Sequence, residues 1–315
     1  MTTSRITRRA FVAGVAAAGA VLASPRLLRA QARRAGMYVS LNGSLTRQMA
    51  WPDFARLAAK VGYGGVDVNF TAAKTDGVDA TRALLNELSL VPSVCNLPVA
   101  WTTTDEAEFK QSLAQLDENA RFANAIGLNR MMVVLSPGSP TPKEERRAFL
   151  KARLTPVAEI LARSQVRLGL EFLGPLYFRQ NPKTPYPFMW TLPETLAFAR
   201  ECGPNLGVVL DAWHWHHSGG SVPEILAAGK SGIVHVHISD ARPAAPEDVR
   251  DNQRHMPGEG IIDLVGFLQA LKKIGYEDGI SPEPLGRVPA DMPAEDGARL
   301  GLETTMAAMK KAGIL

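Results

Sequence analysis

Short apolar runs alternate with longer amphipathic stretches from Met37 to the end of the chain. The short runs are rich in β-branched residues and bounded by turn residues, which is typical of buried strands. Eight such strands are predicted: Met37–Leu41, Gly65–Phe70, Leu90–Asn96, Arg130–Leu135, Arg167–Phe172, Gly207–Asp211, Ile233–Ile238 and Gly279–Glu283.

The longer stretches repeat their apolar residues with the period of a helix. Several begin with proline in the first turn, as at Pro52 and Pro193, and several end at a glycine, as at Gly62 and Gly127. Eight helices are predicted: Pro52–Val61, Val78–Leu88, Asp105–Ile126, Lys143–Arg163, Pro193–Cys202, Val222–Ala228, Asp263–Ile274 and Ala294–Lys311.

Strict alternation of eight strands with eight helices predicts a single-domain α/β protein, a (β/α)₈ TIM barrel over residues 37–315. An open doubly wound sheet is the alternative. That fold expects a glycine-rich phosphate loop after its first strand, and residues 41–45, Leu-Asn-Gly-Ser-Leu, do not provide one. The barrel is therefore favoured.

Residues 1–30 resemble a cleavable export signal of the twin-arginine type and are left out of the barrel. Arg8 and Arg9 precede an apolar run, Phe11–Ala23, of 13 residues. A helix needs about 20 residues to span a bilayer, so a membrane anchor is the weaker alternative. The sequence predicts a periplasmic or secreted protein that uses the twin-arginine export machinery and keeps no membrane anchor after cleavage, although it does not fix the cleavage site.

The formal net charge of +4 suggests a nucleic-acid partner at first sight. The first 30 residues, however, hold five arginines and no acid, which leaves 30 basic and 31 acidic residues in the remainder. A body with a net charge of −1 argues against a general binder of nucleic acid. Its 46% hydrophobic residues are typical of a globular domain.

Four consecutive predicted strands end in ionisable side chains, at Glu171, Asp211, His237 and Glu283. The carboxyl ends of barrel strands form the active-site face, so these groups converge at one mouth. Three carboxylates at one place repel one another unless a cation lies between them. Oxygen-rich ligation with one nitrogen favours one Mn²⁺, with Mg²⁺, Co²⁺ or Zn²⁺ as alternatives.

These strand ends occur within longer motifs, and together they resemble the xylose-isomerase-like TIM barrels, which include ketose 3-epimerases. The motifs are Glu171, Asp211-x-x-His214, His237-x-x-Asp240, the stretch Arg254–Asp263, and Ser281-Pro282-Glu283. The resemblance covers residues 37–315, but only the second half carries specific motifs.

The resemblance implies roles for these residues. Glu171, Asp211, His237 and Glu283 match the metal ligands of the ketose 3-epimerases, and Glu171 and Glu283 also match their acid–base groups. His214 and Arg254 match residues that contact substrate oxygens in such relatives.

The same superfamily includes DNA-repair endonucleases with a three-zinc cluster, which take extra histidines from the early strands. Here those strands end in Val68-Asn69-Phe70, Val94-Cys95-Asn96 and Val134-Leu135-Ser136, with no histidine. The sequence therefore predicts a small-molecule substrate and no nucleic-acid partner.

The expected activity is a divalent-metal-dependent sugar or cyclitol isomerase or epimerase. It would move a proton next to a carbonyl through a metal-stabilised enediolate. Loss of a β-substituent after the same first step would make the protein a lyase or dehydratase acting on keto-sugars or 3-keto-glycosides. A non-enzymatic periplasmic sugar-binding barrel is the third alternative. The sequence does not fix the substrate or the oligomeric state.

Overall fold

The computed structural model describes residues 36–46 and 48–315. One nine-stranded parallel sheet forms its centre, and two antiparallel pairs, β6 with β8 and β11 with β12, lie in the loops. The strands are β1 (Tyr38–Leu41), β2 (Gly65–Val66), β3 (Val91–Pro92), β4 (Cys95–Asn96), β5 (Arg130–Leu135), β6 (Gly138–Ser139), β7 (Arg167–Phe172), β8 (Tyr186–Pro187), β9 (Leu206–Asp211), β10 (Ile233–Ile238), β11 (Asp240–Ala241), β12 (Arg254–His255) and β13 (Gly279–Pro282).

The sheet closes into a ring at the third predicted strand. Its strand order begins with β3 and ends with β4, and only Ser93 and Val94 separate these two segments in the chain. Backbone hydrogen bonds continue across the gap, from the Ser93 N–H to the Val66 carbonyl (2.9 Å) and from the Val68 N–H to the Val94 carbonyl (2.8 Å). The first segment thus pairs with β2 and the second with β5, so the ring has eight strand positions. The predicted (β/α)₈ barrel is confirmed.

Helices surround the ring, and their bounds agree closely with the amphipathic pattern. They are Trp51–Val61, Phe70–Asp76, Val78–Leu88, Glu106–Ala114, Leu116–Ala125, Lys143–Arg163, Leu176–Arg179, Leu192–Cys202, Ala212–His217, Val222–Gly232, Leu264–Lys273 and Ala294–Lys311.

Besides the third strand, two predicted elements differ from the structure. The predicted strand Gly65–Phe70 ends at Val66, because the Asn69 side chain accepts a hydrogen bond from the Ala72 N–H and starts the helix Phe70–Asp76. The predicted helix Asp105–Ile126 is interrupted at Gln115, whose N–H bonds to the Ser112 carbonyl with the shorter spacing of a 3₁₀ turn.

The apolar core has two layers, one on each face of the ring. Leu168, Leu170 and Phe172 of β7 are fully buried on the helix side. Val94, Met132 and Val209 form a smaller cluster of their own, apart from the main core. Alternation along each strand leaves the intervening positions, including Glu171, for the barrel mouth.

None of the helices in residues 36–46 and 48–315 is long and apolar enough to cross a membrane. The predicted twin-arginine signal, residues 1–30, lies outside the described residues and stays a prediction.

Candidate metal centre and active site

Strand register brings the four predicted strand-end groups to one level. His237 pairs with Asp211 on one side and with Ser281 on the other, and Glu283 follows directly after β13. One ligand atom from each of Glu171, Asp211, His237 and Glu283 lies within 4.8 Å of the others. The structure therefore brings together all four residues that the sequence singled out.

Asp211 is oriented by the helix that follows it. Its Oδ1 accepts hydrogen bonds from the backbone N–H groups of Trp213 (2.6 Å) and His214 (3.0 Å), so the residue is the N-cap of the helix Ala212–His217. Its Oδ2 accepts a hydrogen bond from Arg254 Nη1 at 2.8 Å. Burial opposes the charge, but Arg254 and His214 hold the pKa of this carboxyl below its usual value. Asp211 is thus kept as a fixed carboxylate.

Glu283 lies between two prolines, Pro282 and Pro284. Its backbone N–H donates to the Ile238 carbonyl at 2.9 Å, which fixes the end of β13 against β10. Its Oε2 lies 3.1 Å from Arg254 Nη1 and 3.5 Å from His237 Nδ1. Burial raises the pKa of the Glu283 carboxyl to about 7, against the opposing effect of His237 and Arg254. A group with this pKa can both take up and release a proton near neutral pH.

His237 faces the two glutamates. Its Nδ1 lies 2.8 Å from Glu171 Oε1 and 3.5 Å from Glu283 Oε2. Burial alone would lower the pKa of this imidazole, but the Glu283 and Glu171 carboxylates outweigh it and raise the pKa to about 10. The protein's own groups thus place a positive charge between two carboxylates, where a cation would also be stabilised.

The four residues fit a divalent cation. Oxygen and nitrogen ligands about 2.1 Å from one ion lie at most about 4.2 Å apart, so groups within 4.8 Å of one another need only small side-chain movements. Three carboxylates and one imidazole are ligands that Mn²⁺, Mg²⁺ and Zn²⁺ all accept, and the donor set does not select among them.

A cavity of about 710 Å³ opens at this mouth. Glu171, His237 and Glu283 line it on one side. The rest of its wall comes mainly from the early strands and the loops after them, and includes Asn42, Met49, Trp51, Phe54, Asp67, Asn69, Asn96 and Met132. The cavity has the size of a small-molecule site, with amide and aromatic groups suited to a polyhydroxylated ligand.

The predicted substrate contacts His214 and Arg254 lie behind the candidate ligands. They are 2% and 3% exposed, and neither lines the cavity. Arg254 donates to Asp211, Glu283 and Asp251, and its Nη2 lies 3.2 Å from His214 Nε2. In this arrangement the guanidinium holds two candidate ligands together, and burial lowers the pKa of His214 to about 3.

Asp240 organises the loop that carries the motif residues 256–262. Its carboxylate accepts hydrogen bonds from the backbone N–H groups of Ala241 (2.8 Å), Gly258 (3.1 Å) and Ile262 (2.9 Å). The residue therefore fixes a turn.

Sequence reasoning missed Asp67, a fourth carboxylate at the mouth. It follows β2, lines the cavity, and accepts hydrogen bonds from Ser40, Asn42 and Ser281. A signal was present, because Gly65, Asp67 and Asn69 alternate on one face of the predicted strand and an acid is unusual there.

The fold is that of a TIM barrel with an acid-lined mouth. The chain belongs to the Xylose isomerase-like TIM barrel family, whose model matches residues 55–308. The expected family resemblance is confirmed.

Three relatives illustrate the match. An inosose isomerase from Bacillus velezensis is 27% identical over 222 residues, covering 70% of this chain and 76% of the relative. An L-ribulose-5-phosphate 3-epimerase from Salmonella paratyphi A is 25% identical over 249 residues, covering 72% and 79%. The solved structure of a xylose isomerase domain protein from Alicyclobacillus acidocaldarius superposes with a TM-score of 0.81 at 30% identity, covering 88% of this chain and 99% of that one.

Proposed function

We propose that this protein is a divalent-metal-dependent isomerase or epimerase of a sugar or cyclitol ketone. The observation that carries the proposal is the convergence of Glu171, Asp211, His237 and Glu283 within 4.8 Å, beside a cavity that three of them line. The curated relatives, an inosose isomerase and a pentulose-phosphate epimerase, support this class of reaction.

The four residues would hold the cation. Bound there, a divalent ion would stabilise the negative charge that develops on a carbonyl oxygen when the neighbouring carbon loses its proton. We propose Mn²⁺ as the first ion to test, with Mg²⁺, Co²⁺ and Zn²⁺ beside it.

The protein's own residues would move the proton. Glu171 Oε1 and Glu283 Oε2 flank His237 Nδ1 and both residues line the cavity, so a substrate carbon there has a carboxylate within reach on two sides. Glu171 and Glu283 are the two carboxylates placed to take this proton and return it. Return to the same carbon from the opposite face, by the other glutamate, gives an epimer, and return to the neighbouring carbon gives an isomer.

The test is proton exchange in deuterated water. The purified protein, stripped of metal and reloaded with each ion, is mixed with inososes, ketoses and 3-keto-glycosides, and NMR follows the proton next to the carbonyl. We expect metal-dependent exchange. Glu283→Gln should reduce it about 10²–10⁴-fold, the usual contribution of an acid–base group.

Glu277→Gln is the matched control, because Glu277 is exposed and pairs with Lys230 away from the mouth. It should leave exchange unchanged. Exchange that ignores chelators, or its absence with every substrate and metal, would contradict the proposal. Sugar binding that persists in chelator without turnover would instead identify a sugar-binding barrel.

A further inference from the structure

His237 has two ring nitrogens, and only one has a partner in the structure. Nδ1 lies 2.8 Å from Glu171 Oε1, whereas Nε2 is buried without a hydrogen-bond partner. An imidazole that binds a cation through Nδ1 keeps its proton on Nε2, and a doubly protonated ring also has a proton there. In both states a buried N–H needs an acceptor, and an unpaired one is costly.

Asp67 is the carboxylate placed to supply that acceptor. An oxygen of Asp67 and ring nitrogens of His235 and His237 lie within 4.8 Å of one another, and both Asp67 and His237 line the cavity. Two polar atoms that share one water are about 4.6 Å apart, so a single water from the cavity can join them where the direct distance is too long.

The hydrogen bonds around Asp67 leave one acceptor position free. Oδ1 accepts from Ser40 Oγ and from Ser281 Oγ, both at 2.8 Å, and Oδ2 accepts from Asn42 Nδ2 at 3.0 Å. A carboxylate has about four acceptor positions, two on each oxygen. Three are filled, and the fourth is on Oδ2.

His235 does not compete for this position. Ser281 gives its only proton to Asp67, so its oxygen is an acceptor for His235 Nε2, which lies 2.9 Å away. His235 Nδ1 is also buried without a partner. Burial lowers the pKa of His235, so the ring is neutral, and its one proton lies on Nε2 toward Ser281. Its Nδ1 is then an acceptor that cannot donate to Asp67, which leaves His237 Nε2–H as the donor in need of an acceptor.

We propose that Asp67 is the positioning residue for the metal ligand His237: it accepts the Nε2–H, directly or through one water, and so holds Nδ1 toward the cation. The inference rests on the proposed metal site. Partners of this kind fix the tautomer and orientation of a metal-binding histidine, and their loss weakens metal affinity about 10–100-fold.

The test measures affinity for Mn²⁺ and for Zn²⁺ by competition with a chelating dye, with no substrate present. Asp67→Asn has the same shape, and its oxygen can still accept from the two serines. Its NH₂ group then takes the place of Oδ2, so it loses the hydrogen bond from Asn42 Nδ2 and faces His237 donor to donor. We expect both metals to bind about 10–100-fold more weakly.

Two control variants separate this role from others. Asn96→Ala changes the cavity wall without touching the Asp67 network, and Ser40→Ala removes a donor to Oδ1 but leaves the free position on Oδ2. Both should bind metal within about threefold of the wild type, less than the loss expected of Asp67→Asn. An Asp67→Asn protein that binds both metals as tightly as the wild type overturns the inference.

A second measurement covers an Asp67→Asn variant that fails to fold. In proton–nitrogen NMR spectra of the Zn²⁺-loaded wild type, we expect His237 to carry its proton on Nε2, protected from exchange with water. A proton on Nδ1, or an Nε2–H that exchanges freely, overturns the inference.

The outcome for Asp67 can be told apart from the outcome for the proposed function. Weaker metal binding by Asp67→Asn in a protein that turns over no sugar supports the inference and contradicts the activity. Turnover with an altered KM but unaltered metal affinity supports the activity and contradicts the inference.

Discussion

The mouth of this barrel is built from two unlike halves. The amide half, the ends of β1, β2 and β4, presents Asn42, Asn69 and Asn96, none of which is buried. The acidic half, the ends of β7, β9, β10 and β13, presents the four candidate ligands, three of them buried. The amide half also holds one carboxylate, Asp67, so the two halves differ in the number of acids and in burial. One half shapes the cavity and the other holds the groups for chemistry.

Asn69 and Asp211 make this contrast sharp, because they perform the same local task. Each follows a parallel strand, and each accepts backbone N–H bonds at the start of a helix. Asn69 is exposed and neutral, whereas Asp211 is fully buried and paired with Arg254. Asn69 thus stabilises only a helix. Asp211 stabilises a helix, pairs with Arg254 and belongs to the candidate metal site.

The largest expected effect comes from removing these two caps. Asn69→Ala should lower the free energy of unfolding by about 1 kcal/mol, the usual value of a cap. Asp211→Ala also removes one carboxylate from a buried guanidinium, so we expect a loss of about 4 kcal/mol. Urea unfolding of both variants checks the difference. Equal losses of unfolding free energy in the two variants would show that Asp211 contributes no more to stability than Asn69.

Arg254→Gln should give the next largest effect. Without the guanidinium, the buried Asp211 carboxylate loses its ion-pair partner and Glu283 keeps only His237, so the metal-free protein should lose about 3 kcal/mol of stability. A divalent metal should restore more stability to this variant than to the wild type. Thermal unfolding with and without Mn²⁺ measures this. Unchanged stability together with a raised KM would instead support the substrate contact predicted from sequence.

The smallest expected effect concerns acid sensitivity. Burial lowers the pKa of His217 in the acidic half to about 4, against about 6.5 in an unfolded chain. Between pH about 4 and about 6.5 the unfolded chain binds more protons at His217 than the folded protein does. The stability that comes from the lowered pKa of His217 is therefore complete above pH about 6.5 and is lost as the pH falls toward 4. His217→Gln should therefore lose less stability than the wild type between pH 7 and pH 5.

The ring is only partly buried, so we expect the difference at pH 5 to be about 1 kcal/mol or less. Asn69→Ala removes a neutral cap that does not titrate, so the stability of this variant should keep the pH dependence of the wild type. If the stability of His217→Gln depended on pH as the wild type does, His217 would not contribute to the acid sensitivity.

Much of the fold could be predicted from periodicity alone. Six of the eight predicted strands match within one residue at each end, because runs such as Arg167–Phe172 are long, buried and bounded by turn residues. The third strand could not be resolved into β3 and β4, since its break depends on pairing with two different neighbours. The start of the helix at Phe70 depended on a side-chain cap that periodicity does not report.

The site divides in the same way. The acids at the ends of β7, β9 and β13 were visible because each interrupts or ends an apolar run. The buried position of Arg254 was not, because a loop residue reaches the ligands only through tertiary packing. Asp67 was overlooked for a related reason: its partners, Ser40 and Ser281, are 27 and 214 residues away in the chain.

The pair of prolines around Glu283 has a consequence for the energetics of ligand capture. A backbone held between two rings samples few conformations even before the chain folds, so little freedom remains to be lost when the carboxylate engages a ligand. The group proposed to handle the proton is therefore preorganised for its ligand.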